Sequence, residues 1–398
     1  MGPPAQRLVL FLPPALGGDR ILRAVKPAAI VWQREGRVSA EGPTGVREST
    51  DLIAALEEEL QRAGRGARAL GFFGYEFASS LDPMIALPPG RPPLPEAWWA
   101  ILTPSVLAAA APVRPGGWFA DPGASQPSLD DAAFRQGVET IRAGIAAGEV
   151  YQVNLTRRFS LPFRGDAAAF FAALLPPAPP PYACYLADRD QGWAVLCLSP
   201  ELLLRRSGSR VETRPIKGTV ALPPNPRQRA AARWRLANSA KDLAELAMIV
   251  DVERNDLNRV CTPSSVRVET SRRILSTIGV MHQYAAITGQ LREPPGWRSL
   301  LAALLPGGSV TGAPKLAACS FIARLEPVPR AVYCGAIGVI QHDRGVLALP
   351  IRTGYVTGGM LHIHAGCGIV WDSDAAAEEA ESRAKSARWF EVLHGGGR

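Results

Sequence analysis

The sequence predicts an α+β fold. Three observations point there. Segments of period-two hydrophobicity are interspersed with segments of helical period. Their order has no regular βαβ rhythm, which disfavours a doubly wound sheet. The 398-residue chain contains no internal repeat and suits two to three domains or one large unit.

The elements follow in order. The first ~127 residues are punctuated by Pro and Gly, with AAIVWQ and GFFGYEFA reading as strands. TDLIAALEEELQRAG reads as an amphipathic helix ending at Gly64. Two proline-rich stretches, LPPGRPPLPEAWW and APVRPGGWFADPGASQP, are expected to run over the surface. The second leads to a boundary near Ser128, dividing an N-terminal α/β region (1–127) that packs onto a larger core domain (128–398). After Ser128, a capping-box pattern from Ser128 to Asp131 opens a helix carrying Phe134, Val138, Ile141 and Ile145 and stopping near Gly148. VYQVNLTRRF alternates next, with Tyr151, Val153 and Leu155 on one face and Gln152, Asn154 and Thr156 on the other. That polar row either lines a site or faces solvent. Strands WAVLCLSP, CGAIGVIQ and LHIHAGCGIV then mix with helices SAKDLAELAMIVDVERNDL, APKLAACSFIARL and DAAAEEAESRAKSARWFEVL.

Composition narrows the class. Forty-seven per cent hydrophobic residues suit a soluble globular protein. A net charge of +8 permits nucleic-acid binding. The arginines are scattered and no basic run is interleaved with aromatics, so a solvated basic surface or attraction for a small anion is the more economical expectation, with no nucleic-acid partner. The six cysteines lack CxxC spacing and lie in apolar segments, reading as reduced thiols of a cytosolic protein. The N-terminal MGPPAQRLVLFLPPALGG makes a poor signal peptide, and no run of 18 apolar residues suggests a membrane span.

Lysine usage is the oddest feature. The chain has 39 Arg but only 5 Lys: Lys26, Lys217, Lys241, Lys315 and Lys385. Arg keeps its proton, whereas Lys can lose one and act as a nucleophile, so Lys217 in RPIKGT draws attention for its amine. A strand-end lysine beside a Gly turn is the plainer alternative. PGGSVTGAPK is Gly-rich before a helix, but Ala-Pro replaces the Lys-Ser/Thr of a P-loop; what remains is a loop able to hold a carboxylate, with Pro314 suiting the first helical turn. Glu245 stands on a mostly apolar helix face. Glu378, Glu381 and Lys385 share a face at i, i+3 and i+7, either as a salt-bridged surface or as carboxylates offered to a hard cation such as Mg²⁺. Arg352 could clamp a carboxylate. Cys367 is read as structural.

Taken in order, YQVNLTRRF, SPELLL, RPIKGT, AELAMIVDVERNDLNRV, PGGSVTGAPK, YCGAIG, IRT and AGCGIVWDSD followed by E..E...K resemble the chorismate-utilising enzymes over roughly residues 128–395, and more weakly at GFFGYEFA. The family includes anthranilate, aminodeoxychorismate, isochorismate and salicylate synthases. The resemblance implies a two-sheet β-sandwich core flanked by helices. Water-adding members carry a Lys base at the position of Gln152, so an ammonia user is implied. Anthranilate synthases have Ala at the position of Lys217 and aminodeoxychorismate synthases have Lys, so amination at ring carbon 4 of chorismate, on the route to 4-aminobenzoate and folate, is implied. Lys217 would attack ring carbon 2 while Glu201, sixteen residues upstream, protonates the departing hydroxyl. Lys217 must be neutral to attack, with nearby Mg²⁺ and desolvation expected to favour that state. The resemblance assigns Mg²⁺ to Glu245 and Glu381 with Glu378 close by, and a further active-site role to His282. Gln152, Thr219, Thr311, Gly312, Tyr333, Arg352, Gly366, Gly368 and Lys385 would line the substrate pocket. The family's LLES-type tryptophan-binding segment is missing, so tryptophan feedback is not expected. Glu253 departs from the small or apolar residue usual in relatives. With no fused glutaminase domain, ammonia would come from solution or from a separate glutaminase subunit. Anthranilate formation, or a silent binding subunit, are the alternatives.

Overall fold

The computed structural model describes residues 8–11, 21–24, 27–108, 116–177, 179–223, 225–276, 280–293 and 296–395. Much of MGPPAQRLVLFLPPALGG lies outside them, as does the side chain of Thr219. The architecture is α+β: two large antiparallel sheets packed face to face, with helices on their outer faces.

The first sheet runs in the order Gly312–Ala313, Gln152–Gly165, Met360–Ile369, Thr353–Thr357, Trp193–Ser199, Tyr182–Asp188, Leu8–Phe11 and Ile21–Ala24. The second runs Ile216–Ala221, Val280–Gln290, Arg210–Arg214, Leu202–Ser207, Arg344–Ala348, Ala336–Ile340, Arg68–Phe73, Ala97–Leu102, Ala29–Arg34, Arg37–Gly42 and Gly45–Ser49. Strands from both sides of residue 127 are hydrogen-bonded within both sheets, for instance Leu8–Phe11 to Tyr182–Asp188 and Arg68–Phe73 to Ala336–Ile340.

One apolar cluster fills the space between the sheets. Trp98 meets Trp193 edge-on at 5.0 Å, and Phe72 meets the same ring at 5.7 Å. The helices cover the outer faces. Leu52–Ala63 starts where Asp51 accepts from Ile53 N and Ala54 N and ends at Gly64, whose φ of 81° suits glycine. The helix after Ser128 is Asp131–Ala146, and its cap is Asp130, accepting from Ala133 N, instead of the expected Ser128. The Ser128 hydroxyl is drawn off to accept from Arg158 N on the long strand. GFFGYEFA is strand only to Phe73; Tyr75–Phe77 form a 3₁₀ helix, with Tyr75 N donating to Ala331 O and its ring under the buried Arg330 guanidinium, 4.7 Å from the ring centroid. APVRPGGWFADPGASQP is not surface loop throughout, since Trp118–Ala120 and Gln126–Pro127 pair with Gln152–Gly165. All six cysteines are buried and free. Among the described residues no helix is long and apolar enough to cross a membrane.

Candidate active site

Where the strands Gln152–Gly165 and Met360–Ile369 of one sheet face Ile216–Ala221 and Val280–Gln290 of the other, a cavity of about 510 Å³ opens between them. Two long helices close its sides. Ala240–Asn258, capped by Ser239, brings Asp242 and Glu245; Ala375–Gly395 brings Glu378, Glu381 and Lys385. Residues far apart in sequence thus reach one volume, including Glu201, Lys217, His282, Tyr333, Arg352, Gly366 and Gly368.

Glu201 precedes the strand Leu202–Ser207 and is buried, its Oε1 accepting from Ser309 Oγ at 2.7 Å. Burial pushes its carboxyl up to about 7, while the Ser309 hydrogen bond and the Lys217 charge act the other way. A carboxyl so placed is part protonated at neutral pH and suits proton donation. Lys217, on the strand Ile216–Ala221 of the same sheet, lies 4.0 Å from Glu245 Oε2. Gly368 lies opposite it: a Cβ there would stand 2.8 Å from Gln152 Nε2 and 3.4 Å from Lys217 Nζ. Burial, with Arg352 nearby, lowers His282 to about 4, so its imidazole is neutral at pH 7. Arg352 takes a left-handed φ of 52° and donates to Lys385 O at 3.2 Å. Lys385 Nζ donates to Gly366 O at 2.9 Å and pairs with Glu381 at 2.8 Å.

The carboxylates fit a hard cation. Ligand atoms of Glu378, Glu381 and Cys367 lie within 4.8 Å of one another, and Glu245 lines the same cavity from the other helix. The Cys367 Sγ donates to Glu378 O at 3.2 Å, and a thiol suits a hard cation poorly. The remaining donors are carboxylate oxygens, which suit Mg²⁺. Glu378 Oε1 is oriented by Ser373 Oγ at 2.7 Å.

Some expected residues stand behind the wall. Gln152 is fully buried and does not line the cavity, and neither end of its amide has a hydrogen-bond partner among the described residues. Thr311 is fully buried, its hydroxyl donating to Gly307 O at 2.9 Å. Gly312, at φ 140°, packs so closely that a Cβ would lie 2.0 Å from Gln152 O. In their place Ser309 and Val310 of the same loop reach the cavity. Thr219 pairs in register with His282. Lys315 is tied to Asp256 at 2.7 Å. Glu253 is buried and accepts from Thr213 Oγ1 at 2.6 Å, with burial holding its carboxyl well above the usual range. Of the polar row, Asn154 lines the cavity and Thr156 is buried, its amide donating to Glu326. Sequence reasoning did not single out Ser309, Asp242 or His364 as site residues; the Gly-rich loop, the first turn of a helix and a strand beside glycines were the available signals.

Comparison with known proteins gives the family. The chorismate binding enzyme family matches residues 17–390. Anthranilate synthase component 1 of Streptomyces coelicolor is 39% identical over 283 residues, 70% of this chain and 54% of the relative. Aminodeoxychorismate synthase component 1 of Klebsiella aerogenes is 40% identical over 262 residues, 66% of this chain and 56% of the relative. The chain spans about half the length of these curated relatives. The crystal structure of anthranilate synthase component I from Streptococcus pneumoniae shares the fold, with a TM-score of 0.79 at 24% identity, covering 98% of this chain and 93% of that one. The chain belongs to the chorismate binding enzyme family.

Proposed function

We propose that the protein is an aminodeoxychorismate synthase component I, converting chorismate and ammonia to 4-amino-4-deoxychorismate and water. The observation that carries this reading is a lysine and a buried carboxyl of raised pKa on the wall of one cavity, Lys217 and Glu201. Displacing the carbon-4 hydroxyl directly with ammonia is difficult, and a covalent intermediate splits it into two easier steps. The Lys217 amine forms a bond to ring carbon 2 as the C1–C2 double bond shifts to C1–C6, the C5–C6 double bond shifts to C4–C5 and the carbon-4 C–O bond breaks. Glu201 supplies the proton with which the hydroxyl leaves as water. Ammonia then bonds to carbon 4, both double bonds shift back, the carbon-2 bond to Lys217 breaks and the proton of the new ammonium returns to Glu201. Arg352, Lys385, Tyr333 and the backbone at Gly366 and Gly368 hold the substrate's carboxylates. Glu245, Glu378 and Glu381 would hold Mg²⁺, which when bound supplies positive charge to a substrate carboxylate. Ammonia would come from solution or from a separate glutaminase subunit, as the component 1 names of the relatives suggest.

A second reading is anthranilate synthesis, favoured by the 39% identity to the Streptomyces coelicolor enzyme and by a neutral His282 on the cavity wall. Incubation with chorismate, Mg²⁺ and ammonium separates the two. The proposal expects a product of the mass of 4-amino-4-deoxychorismate, and fluorescent anthranilate as the main product would overturn it.

A further inference from the structure

Buried polar atoms are almost always hydrogen-bonded, so those that are not ask for an explanation. Several side chains here carry a buried nitrogen or oxygen without a partner among the described residues. Only one of those residues, His364, lines the active-site cavity. Its Nε2 is the orphan atom, and the residue is 4% exposed.

The local structure explains why the ring cannot turn away to find a partner. His364, Gly366 and Gly368 alternate along the strand Met360–Ile369 and so share a face, and all three line the cavity. The two glycines expose only backbone, leaving His364 as the side chain that this face presents to the cavity. Its ring stacks on Tyr333 at 5.0 Å and 20°, and Tyr355 packs against it at 5.8 Å. Burial, with the cations of Arg158 and Arg330 and the neighbouring His362, holds the imidazole well below its ordinary pKa and therefore neutral. A neutral imidazole has one N–H to give, while a carboxylate only accepts.

We propose that His364 is a substrate-contacting residue whose Nε2–H donates to a carboxylate oxygen of the bound ligand, beside Tyr333. This rests on the reading that the cavity takes chorismate, a dicarboxylate. In the ligand-free protein the orphan nitrogen is a burden on stability; in the complex it becomes a paired donor in a site shielded from water.

The test compares the wild type with His364→Leu, which fills similar space without a donor, and His364→Gln, which keeps a side-chain N–H. Chorismate binding is followed by tryptophan fluorescence in Mg²⁺ buffer without ammonium, turnover by chorismate consumption with ammonium, and ligand-free stability by thermal unfolding. The expected result is that His364→Leu weakens chorismate binding and raises KM by about tenfold with kcat within about threefold. His364→Gln should stay within about threefold of wild type on every parameter, and ligand-free His364→Leu should unfold no lower than wild type. Wild-type affinity in His364→Leu overturns the proposal. So does equal impairment of both variants with lowered unfolding temperatures, or failure of His364→Leu to fold, since these mark a packing role. A wild type that does not bind chorismate at all overturns the reading of the cavity itself, and the proposal with it.

Discussion

Replacing Ser309 by Ala tests whether Glu201 is the acid. Ser309 Oγ donates to Glu201 Oε1 at 2.7 Å, and this bond favours the ionised carboxylate of a group that burial has already moved to about 7. Hydrogen bonds to charged groups contribute about 1.5–3 kcal/mol, and one pKa unit corresponds to about 1.4 kcal/mol. Removing the donor should therefore raise the carboxyl by one to two units, reduced to about one if water takes the hydroxyl's place. Only protonated Glu201 can discharge the hydroxyl, so the rate should fall as pH rises through the pKa of Glu201. The assay is kcat/KM for chorismate against pH, holding free ammonia constant by adjusting total ammonium. Wild type should lose activity with a midpoint near 7 and Ser309→Ala about one unit higher. A limb that does not move, or moves to lower pH, would refute the assignment of Glu201 as the acid.

The same carboxyl should show in stability. Its folded-state value near 7 lies above the ordinary 4.5, so the folded chain holds the proton more tightly and stability falls as pH rises from 4.5 to 7. Glu201→Gln should remove a loss of up to about 3 kcal/mol over that window, read from unfolding midpoints at pH 4.5 and 8. Gly368→Ala should cut turnover by up to about tenfold by pushing the Gln152 amide aside next to Lys217, since a Cβ would lie 2.8 Å from Gln152 Nε2; wild-type activity would show that the amide yields without cost. Glu381→Gln and Glu245→Gln should each weaken Mg²⁺ binding about tenfold or more by calorimetry, and unchanged affinity in both would remove these residues from the metal site.

What the sequence disclosed depended on how local the cause was. The helix Leu52–Ala63 was legible because Asp51, Gly64 and the apolar period between them act within one element. The cap at Asp130 was not, because what draws Ser128 away is a backbone amide 30 residues on. Strand Arg68–Phe73 could be read, but its end could not, since the partners of Tyr75, Arg330 and Ala331, lie about 255 residues on. The site followed the same rule. Ordered motifs were enough to assemble Glu201, Lys217, Glu245 and Glu381, which the fold brings to one cavity. Motif membership does not say which member of a loop faces inward. In PGGSVTGAPK the inward residues are Ser309 and Val310, while Thr311 turns its hydroxyl back to Gly307. The Ser309 contact to Glu201 spans 108 residues and the His364 stack on Tyr333 joins two separate segments; neither has a local signature.

Whether Lys217 bonds covalently to the substrate is read by peptide mass spectrometry of protein quenched after mixing with chorismate and Mg²⁺, without ammonia. The peptide containing Lys217 should gain the mass of chorismate less one water, the gain should vanish when ammonium is added before quenching, and Lys217→Ala should never show it. No gain on that peptide, together with turnover by Lys217→Ala at the wild-type rate, would contradict a covalent role for Lys217.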